Sequence, residues 1–106
     1  MSEPIRDRLQ SSLKTAMRVR DAHATSVLRI TLSAIANAEA VEVPAGTTET
    51  ELPRKVLSEA DVVAVVRAEH DDLASTAVQL LALGKLDEAA VLGAKAAVLQ
   101  THLGNR

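Results

Sequence analysis

The fold is decided by residues 58–84, SEADVVAVVRAEHDDLASTAVQLLALG. Ser58 followed three residues later by Asp61 fits the capping-box pattern that opens a helix. Apolar residues then recur at helical spacing and indicate one core-facing stripe: Val62, Val66, Leu73, Ala77 and Leu80. Gly84 suits the position just after a helix end. The stretch therefore predicts one long helix that stops before Gly84.

A further helix is predicted after the short turn at Gly84-Lys85, capped by Asp87 and running to about His102, with Gly104 as its terminator. One face of this helix is apolar: Ala89, Leu92, Ala96, Leu99 and Leu103. Val91 and Val98 lie well round the helix from that face. An outer helix surface as apolar as this is typical of a surface that is not fully exposed to solvent. We therefore predict an interface on this helix, at Val91, Leu92, Lys95, Val98 and His102.

Two more helices are predicted upstream. The first starts near Pro4, with Ser2 as its N-cap, and ends around Val19–Asp21. The second runs from about His23 to Ala40, and only a narrow stripe of it is polar: Ser26, Arg29, Ser33 and Asn37. A helix with one thin polar stripe is typical of the central element of a bundle.

Residues 41–57 contain Pro44, Gly46 and Pro53 and predict a loop. The sequence thus predicts an all-α fold, a four-helix bundle-like pair of helical hairpins joined by a loop at about 41–57. A chain of 106 residues is long enough for one small domain, 1–106.

Composition excludes several classes of site. The chain is 47% apolar and 25% charged, and it contains no Cys, Phe, Tyr or Trp. Disulfides, a cysteine nucleophile, cysteine-ligated metals and aromatic stacking on bases are therefore excluded. No stretch reaches the roughly 18 apolar residues that span a membrane, and the first residues lack a signal-peptide pattern. We expect a cytoplasmic protein with no membrane partner.

Charge is unevenly distributed along the chain. The net charge of −2 argues against a protein that coats nucleic acid, and we expect no DNA partner. Residues 1–38 nevertheless carry six basic and three acidic residues, whereas residues 39–106 carry six and eleven. The basic set Arg6, Lys14, Arg18, Arg20 and Arg29 is either a solvated face or a surface that contacts RNA phosphates.

Two carboxylates, Glu39 and Glu69, fall on apolar helix faces. Each is expected either to meet an Arg, a Lys or a helix end, with Arg29 and Arg67 as candidates, or to lie at the edge of the bundle. His23, His70 and His102 do not have metal-ligand spacing. The sequence has no GxxxxGK or GxSxG motif, and no serine has an evident histidine partner. We therefore predict no catalytic residue, no cofactor and no metal.

Five segments, in order along the chain, resemble the GatB/YqeY family. They are LQSSLKTAMR (9–18), VLRITLSAIANAE (27–39), LSEADVVAVVRAE (57–69), GKLDEA (84–89) and AAVLQTHLG (96–104). The resemblance covers essentially the whole chain and implies the N-terminal helical domain of a YqeY-like protein. Members of that family continue with a second small helical domain, which we expect to be absent here. The chain also departs from the family pattern at His70-Asp71-Asp72, where members are basic, and at Leu92 and Lys95.

The resemblance implies a function as well. The related tail of the GatB subunit, in the glutamine-dependent aminoacyl-tRNA amidotransferase, is thought to contact tRNA while catalysis lies elsewhere. This chain would then be a non-catalytic module associated with tRNA or a translation-related protein, with an RNA-binding set of Lys14, Arg18, Arg20, Arg29 and Asn37. The family label is carbon–nitrogen ligation with glutamine as nitrogen donor. This sequence shows neither the nucleophile nor the ATP site that such a reaction requires. The alternative is a protein-interaction or self-association module, such as a homodimer, that acts through the fourth helix.

Overall fold

A computed structural model describes residues 3–40 and 56–104, and these residues form four helices. The helices are α1 (Ile5–Arg18), α2 (Ala22–Glu39), α3 (Glu59–Ala82) and α4 (Leu86–Leu103). α1 packs on α2 and α3 packs on α4, and the two hairpins pack against each other. The predicted all-α pair of hairpins is confirmed. Of the predicted loop, residues 41–55 lie outside the described residues, and Val56 and Leu57 precede α3 without being helical.

The core lies where one face of each helix meets the others. α2 contributes the most buried residues and contacts the other three helices, as its thin polar stripe predicts. The buried side chains are those of Ile5, Leu9, Ala16, Ala24, Val27, Leu28, Thr31, Ile35, Val62, Val66, Ala89, Ala96, Leu99 and Leu103. Thr31 is the polar member of the set, and its hydroxyl donates to the Val27 carbonyl at 2.8 Å. Its burial therefore leaves no hydroxyl without a partner.

α3 is longer than the hairpin it packs against. Its fully buried residues, Val62 and Val66, lie in its first two turns. Leu73, Ala77 and Leu80 continue the predicted stripe but are only half-buried. At 1.5 Å per residue, 24 residues span about 36 Å, against about 21 Å for α1. The turn between α3 and α4 consequently has little cover, and four large apolar side chains are exposed there: Val78, Leu81, Leu83 and Leu86.

The helix starts show both local and long-range capping. Ser58 and Asp61 form the predicted capping box, each side chain accepting from the other's backbone N–H at 3.1 Å. Pro4 is the residue that precedes α1 and offers no side-chain cap, and the predicted cap Ser2 lies outside the described residues. The Glu59 carboxylate, from the first turn of α3, accepts from the Ile5 N–H at 2.9 Å. The start of α1 is thus capped by a residue 54 positions away.

The two hairpin turns share one backbone design. Val19-Arg20-Asp21 and Leu83-Gly84-Lys85 both end a helix with a left-handed second residue, at φ 61° for Arg20 and 78° for Gly84. In each turn the third residue donates back five positions, Asp21 to Ala16 and Lys85 to Leu80, both at 2.9 Å. This is the Schellman arrangement.

The same third residue opens the next helix. Asp21 accepts from the Ala24 N–H at 3.0 Å, whereas Lys85 has no side-chain bond to offer. The predicted cap Asp87 is therefore wrong. The turn closes so tightly after Gly84 that α4 begins at Leu86, which puts Asp87 inside the first turn.

We expect Arg20→Gly to raise the free energy of unfolding by up to about 1 kcal/mol, because a left-handed backbone is unfavourable for residues with a Cβ. Gly84→Ala, the reciprocal change, should lower it by about 1 kcal/mol. A Cβ at Gly84 meets no atom within 4 Å, so this loss reports backbone conformation and not a clash. Urea unfolding followed by circular dichroism measures both, and a destabilised Arg20→Gly variant would contradict the prediction.

Candidate nucleic-acid interface

The polar stripe of α2 lies along two open grooves. The first, here called the elbow groove, is about 690 Å³ in volume and lies at the α1–α2 turn. Its charged lining consists of Arg20 and Arg29, and Thr25 and Ser26 add hydroxyl groups. Its apolar lining includes Met17 and Ile30, which are 45% and 55% exposed. The groove therefore combines two cations with an apolar surface.

Arg29 is held at the edge of the elbow groove by a weak contact. Its Nη2 atom donates to the Met17 Sδ atom at 3.2 Å. A thioether is a weak acceptor and carries no charge, so the positive charge of Arg29 is not neutralised by it. Among the described residues, neither Arg29 nor Arg20 makes an ion pair. Both guanidinium groups are thus available to an anion.

The rest of the predicted RNA-binding set is divided between two places. Lys14 and Arg18 are exposed on α1, one turn apart, and do not line the elbow groove. Asn37 lines a second groove of about 340 Å³, here called the α2–α3 groove, together with Arg29, Ser33 and Glu69. Arg29 and Ile30 line both grooves, so the two grooves are neighbours along α2.

The two carboxylates flagged by the sequence differ in their partners. Glu39 is half-buried and its Oε2 atom lies 2.8 Å from Arg6 Nη2, so the ion pair joins the end of α2 to the start of α1. The contact does not have the geometry of a hydrogen bond at Nη2, so the attraction between Arg6 and Glu39 is electrostatic. Arg29 and Arg67, the bases suggested by the sequence, are not its partners. Glu69 is also half-buried but makes no ion pair within the described ranges.

The five residues predicted as an interface on α4, Val91, Leu92, Lys95, Val98 and His102, are all half-buried within the chain. Val98 packs against the core, and His102 contacts α1. In the middle of α4 the exposed residues are small: Ala90, Gly93, Ala94 and Ala97. Four large exposed apolar side chains, Val78, Leu81, Leu83 and Leu86, lie around the α3–α4 turn, a location that helical periodicity did not single out.

A serine–histidine contact joins the two hairpins. Ser12 Oγ and His102 Nε2 lie 2.9 Å apart although 90 positions separate them, a pairing that was not evident in the sequence. In a nucleophilic triad a third group orients the other ring nitrogen. Residues 3–40 and 56–104 place no hydrogen-bonding carboxylate there. The contact is therefore best described as a link between α1 and α4.

His102 gives this link a pH dependence. Burial and the nearby positive charge of Arg8 lower the pKa of His102 below its ordinary 6.5. As pH falls through 6.5, the unfolded chain therefore binds more protons than the folded one. The free energy of unfolding should be highest above that pH and should decrease below it. Urea titrations at several pH values measure the slope. His102→Gln should flatten it, whereas His23→Gln, a change at an exposed position, should not.

The other histidines do not assemble a metal site. His70 Nδ1 contacts the adjacent Asp71 at 2.9 Å on the surface, and His23 is exposed. In the part of the chain that the structure describes, no group of three or more His, Asp or Glu side chains is placed to hold an ion. No helix in that part is long and apolar enough to cross a membrane.

Comparisons with known proteins returned no match, whether against family models, curated proteins or solved structures. What the structure defines is an all-α protein of two packed hairpins, with a basic groove along its central helix. The resemblance to the GatB/YqeY family stays a prediction that rests on the segments quoted above.

Proposed function

We propose that this chain is a non-catalytic module that binds the phosphate backbone of RNA along the elbow groove. The observation that carries the proposal is the pairing of Arg20 and Arg29 in one groove, with no carboxylate bound to either among the described residues. Guanidinium groups suit phosphate because they donate in a planar fork. The hydroxyls of Thr25 and Ser26 add neutral donors, and Lys14 and Arg18 add charge on the adjoining helix.

Transfer RNA is the class of RNA that the GatB/YqeY resemblance implies, and a translation-related complex is the corresponding setting. Composition supports phosphate contacts over base stacking, because the chain has no aromatic side chain. A module of this kind positions RNA for another protein, which agrees with the absence of a nucleophile or nucleotide motif in the sequence. No cofactor is required.

Filter binding to bulk tRNA at low and moderate salt tests the proposal. Neutralising both groove cations in Arg20→Gly/Arg29→Gln should weaken binding about tenfold or more and reduce the salt slope by about one per lost phosphate contact. Lys85→Gln removes one positive charge at the opposite hairpin turn and is the matched control for a single Arg29→Gln change. Absence of salt-sensitive binding, or binding that the double variant leaves unchanged, would overturn the proposal. Neutralising Lys14 and Arg18 measures how far the surface extends along α1.

The second candidate function is self-association through the α3–α4 hairpin. Leu83 and Leu86 are 70% and 63% exposed, and Val78 and Leu81 adjoin them in sequence. Such side chains are stabilised when a second copy removes them from water. Sedimentation at micromolar concentration should then show a dimer that Leu83→Glu or Leu86→Glu dissociates. A monomer at all concentrations, or a dimer indifferent to these changes, removes this candidate.

Val91→Glu and Val98→Glu test the half-buried side of α4 for the same activity. Val98 packs against the core of this chain. The folding of the Val98→Glu variant is therefore measured by circular dichroism alongside its sedimentation.

A further inference from the structure

Glu69 is the residue in the groove system that phosphate binding does not explain. Its half-buried carboxylate lies on α3 and lines the α2–α3 groove opposite the polar stripe of α2. It has the same sign of charge as a phosphate and would repel one placed beside it. A carboxylate can nevertheless accept several hydrogen bonds, and among the described residues none is made to it. A ligand group with hydrogen-bond donors is the partner that fits this position.

RNA carries such donors on its bases. An ionised carboxylate is acceptor-only, so it pairs best with an edge that presents two adjacent donors. Guanine presents N1–H and the N2 amino group side by side on its Watson–Crick edge. Adenine and cytosine place a ring acceptor beside their amino group, and uracil places one N–H between two carbonyls. Guanine is therefore the base whose edge suits a lone carboxylate.

The spacing along α2 suits one nucleotide or two. Arg29 lines both grooves, and Ser33 and Asn37 follow it by one and two turns, at about 6 and 12 Å along the helix axis. A phosphate beside Arg29 would leave its neighbouring base over the α2–α3 groove. Ile30 and Ala34 supply an aliphatic wall there, and Asn37 supplies both a donor and an acceptor. Glu69 completes this groove from α3.

We propose that the α2–α3 groove binds an unpaired guanine of the RNA, with the Glu69 carboxylate accepting from guanine N1–H and N2–H while Arg29 contacts an adjacent phosphate. The inference rests on the proposed RNA function and adds base preference to it. Sequence-specific recognition of RNA is mostly of single-stranded bases, whose Watson–Crick edges are exposed. The α2–α3 groove is open, and a base can enter it only from an unpaired segment.

Binding of single-stranded uridine oligonucleotides that carry one central guanosine, inosine, adenosine or cytidine tests the proposal. We expect the guanosine oligonucleotide to bind at least about fivefold more tightly than the adenosine or cytidine one, the low end for a bidentate base contact. Inosine lacks the N2 amino group and should fall between them. This series changes single donors on the ligand while the protein stays the same.

Glu69→Leu should abolish the preference, because an aliphatic side chain accepts no hydrogen bond from the guanine edge. Affinity for the uridine-only oligonucleotide should be unchanged or higher, since a negative charge is removed. Glu88→Leu, the same change at an exposed position of α4, is the matched control and should keep the preference.

The possible results distinguish the guanine site from the more general proposal that the chain binds RNA. Binding of all four oligonucleotides with equal affinity overturns the guanine site and leaves the RNA function standing. A preference that survives in Glu69→Leu does the same. Absence of binding to any oligonucleotide and to tRNA overturns both proposals.

Discussion

Leu99→Ala is expected to lower the free energy of unfolding by about 2–5 kcal/mol, the range for removing a fully buried leucine. Leu99 has no exposed surface and lies in the core cluster that joins α4 to the other helices. The loss combines the transfer of the removed atoms to water with the cavity that they leave. For a small domain with a typical stability of about 5–15 kcal/mol, this is a large fraction of the total.

The composition determines how unfolding can be measured. Because the chain has no aromatic residue, urea unfolding is followed by far-ultraviolet circular dichroism and not by intrinsic fluorescence. Leu86→Ala makes the same chemical change in the same helix at a side chain that is 63% exposed. It should cost less than about 0.5 kcal/mol. Equal losses for the two variants would show that Leu99 does not occupy the core.

Glu59→Ala is expected to lower the free energy of unfolding by about 1–2 kcal/mol. The Glu59 carboxylate bonds the Ile5 N–H at 2.9 Å, and Ile5 is fully buried at the first position of α1. Pro4 offers no side-chain cap, so removing Glu59 leaves that N–H without its partner. The bond also joins the two hairpins, and its loss should increase fraying of the first turn of α1.

Two further variants test whether this bond is the cause. Glu59→Gln keeps an oxygen acceptor and should recover part of the stability. Glu88→Ala removes a carboxylate from the first turn of α4 and is the control for loss of a favourable helix-dipole interaction alone. If Glu59→Ala and Glu88→Ala cost the same, the bond to Ile5 contributes nothing. Hydrogen exchange at the Ile5 amide gives an independent measure.

The local signals in the sequence predicted most of the fold. The capping box at Ser58 and the glycine at position 84 fixed both ends of α3. Helical periodicity identified all four buried residues of α4, Ala89, Ala96, Leu99 and Leu103, because side chains three and four apart share a face. Where the prediction was wrong, at Asp87, an acidic first-turn residue was mistaken for the cap.

Contacts between residues far apart in the chain could not be predicted from the sequence. The partner of Glu39 is Arg6, and the partner of His102 is Ser12. The members of these pairs lie 33 and 90 positions apart. The first contact depends on how α1 packs on α2, and the second on how the two hairpins dock. Thr31 illustrates a second limit. A hydroxyl that bonds the carbonyl of its own helix can be buried without a partner elsewhere, which polarity alone does not predict.

The candidate site shows the same division. The basic residues and the polar stripe of α2 were identifiable from spacing, but their arrangement was not. Tertiary packing joins Arg20 and Arg29 in the elbow groove and leaves Lys14 and Arg18 outside it. It also places Glu69 of α3 against α2. The guanine proposal depends on that placement.

By itself the sequence determined the number of helices, their approximate ends and the face that each one buries, because these depend on residues within a few positions of one another. Its lack of aromatic residues also excluded aromatic stacking from any RNA contact. Only the tertiary structure decided which charges meet, which helix end is capped from afar and which apolar side chains stay exposed. Those outcomes depend on how the helices pack within each hairpin and between the two hairpins, and no local pattern encodes the geometry of that packing.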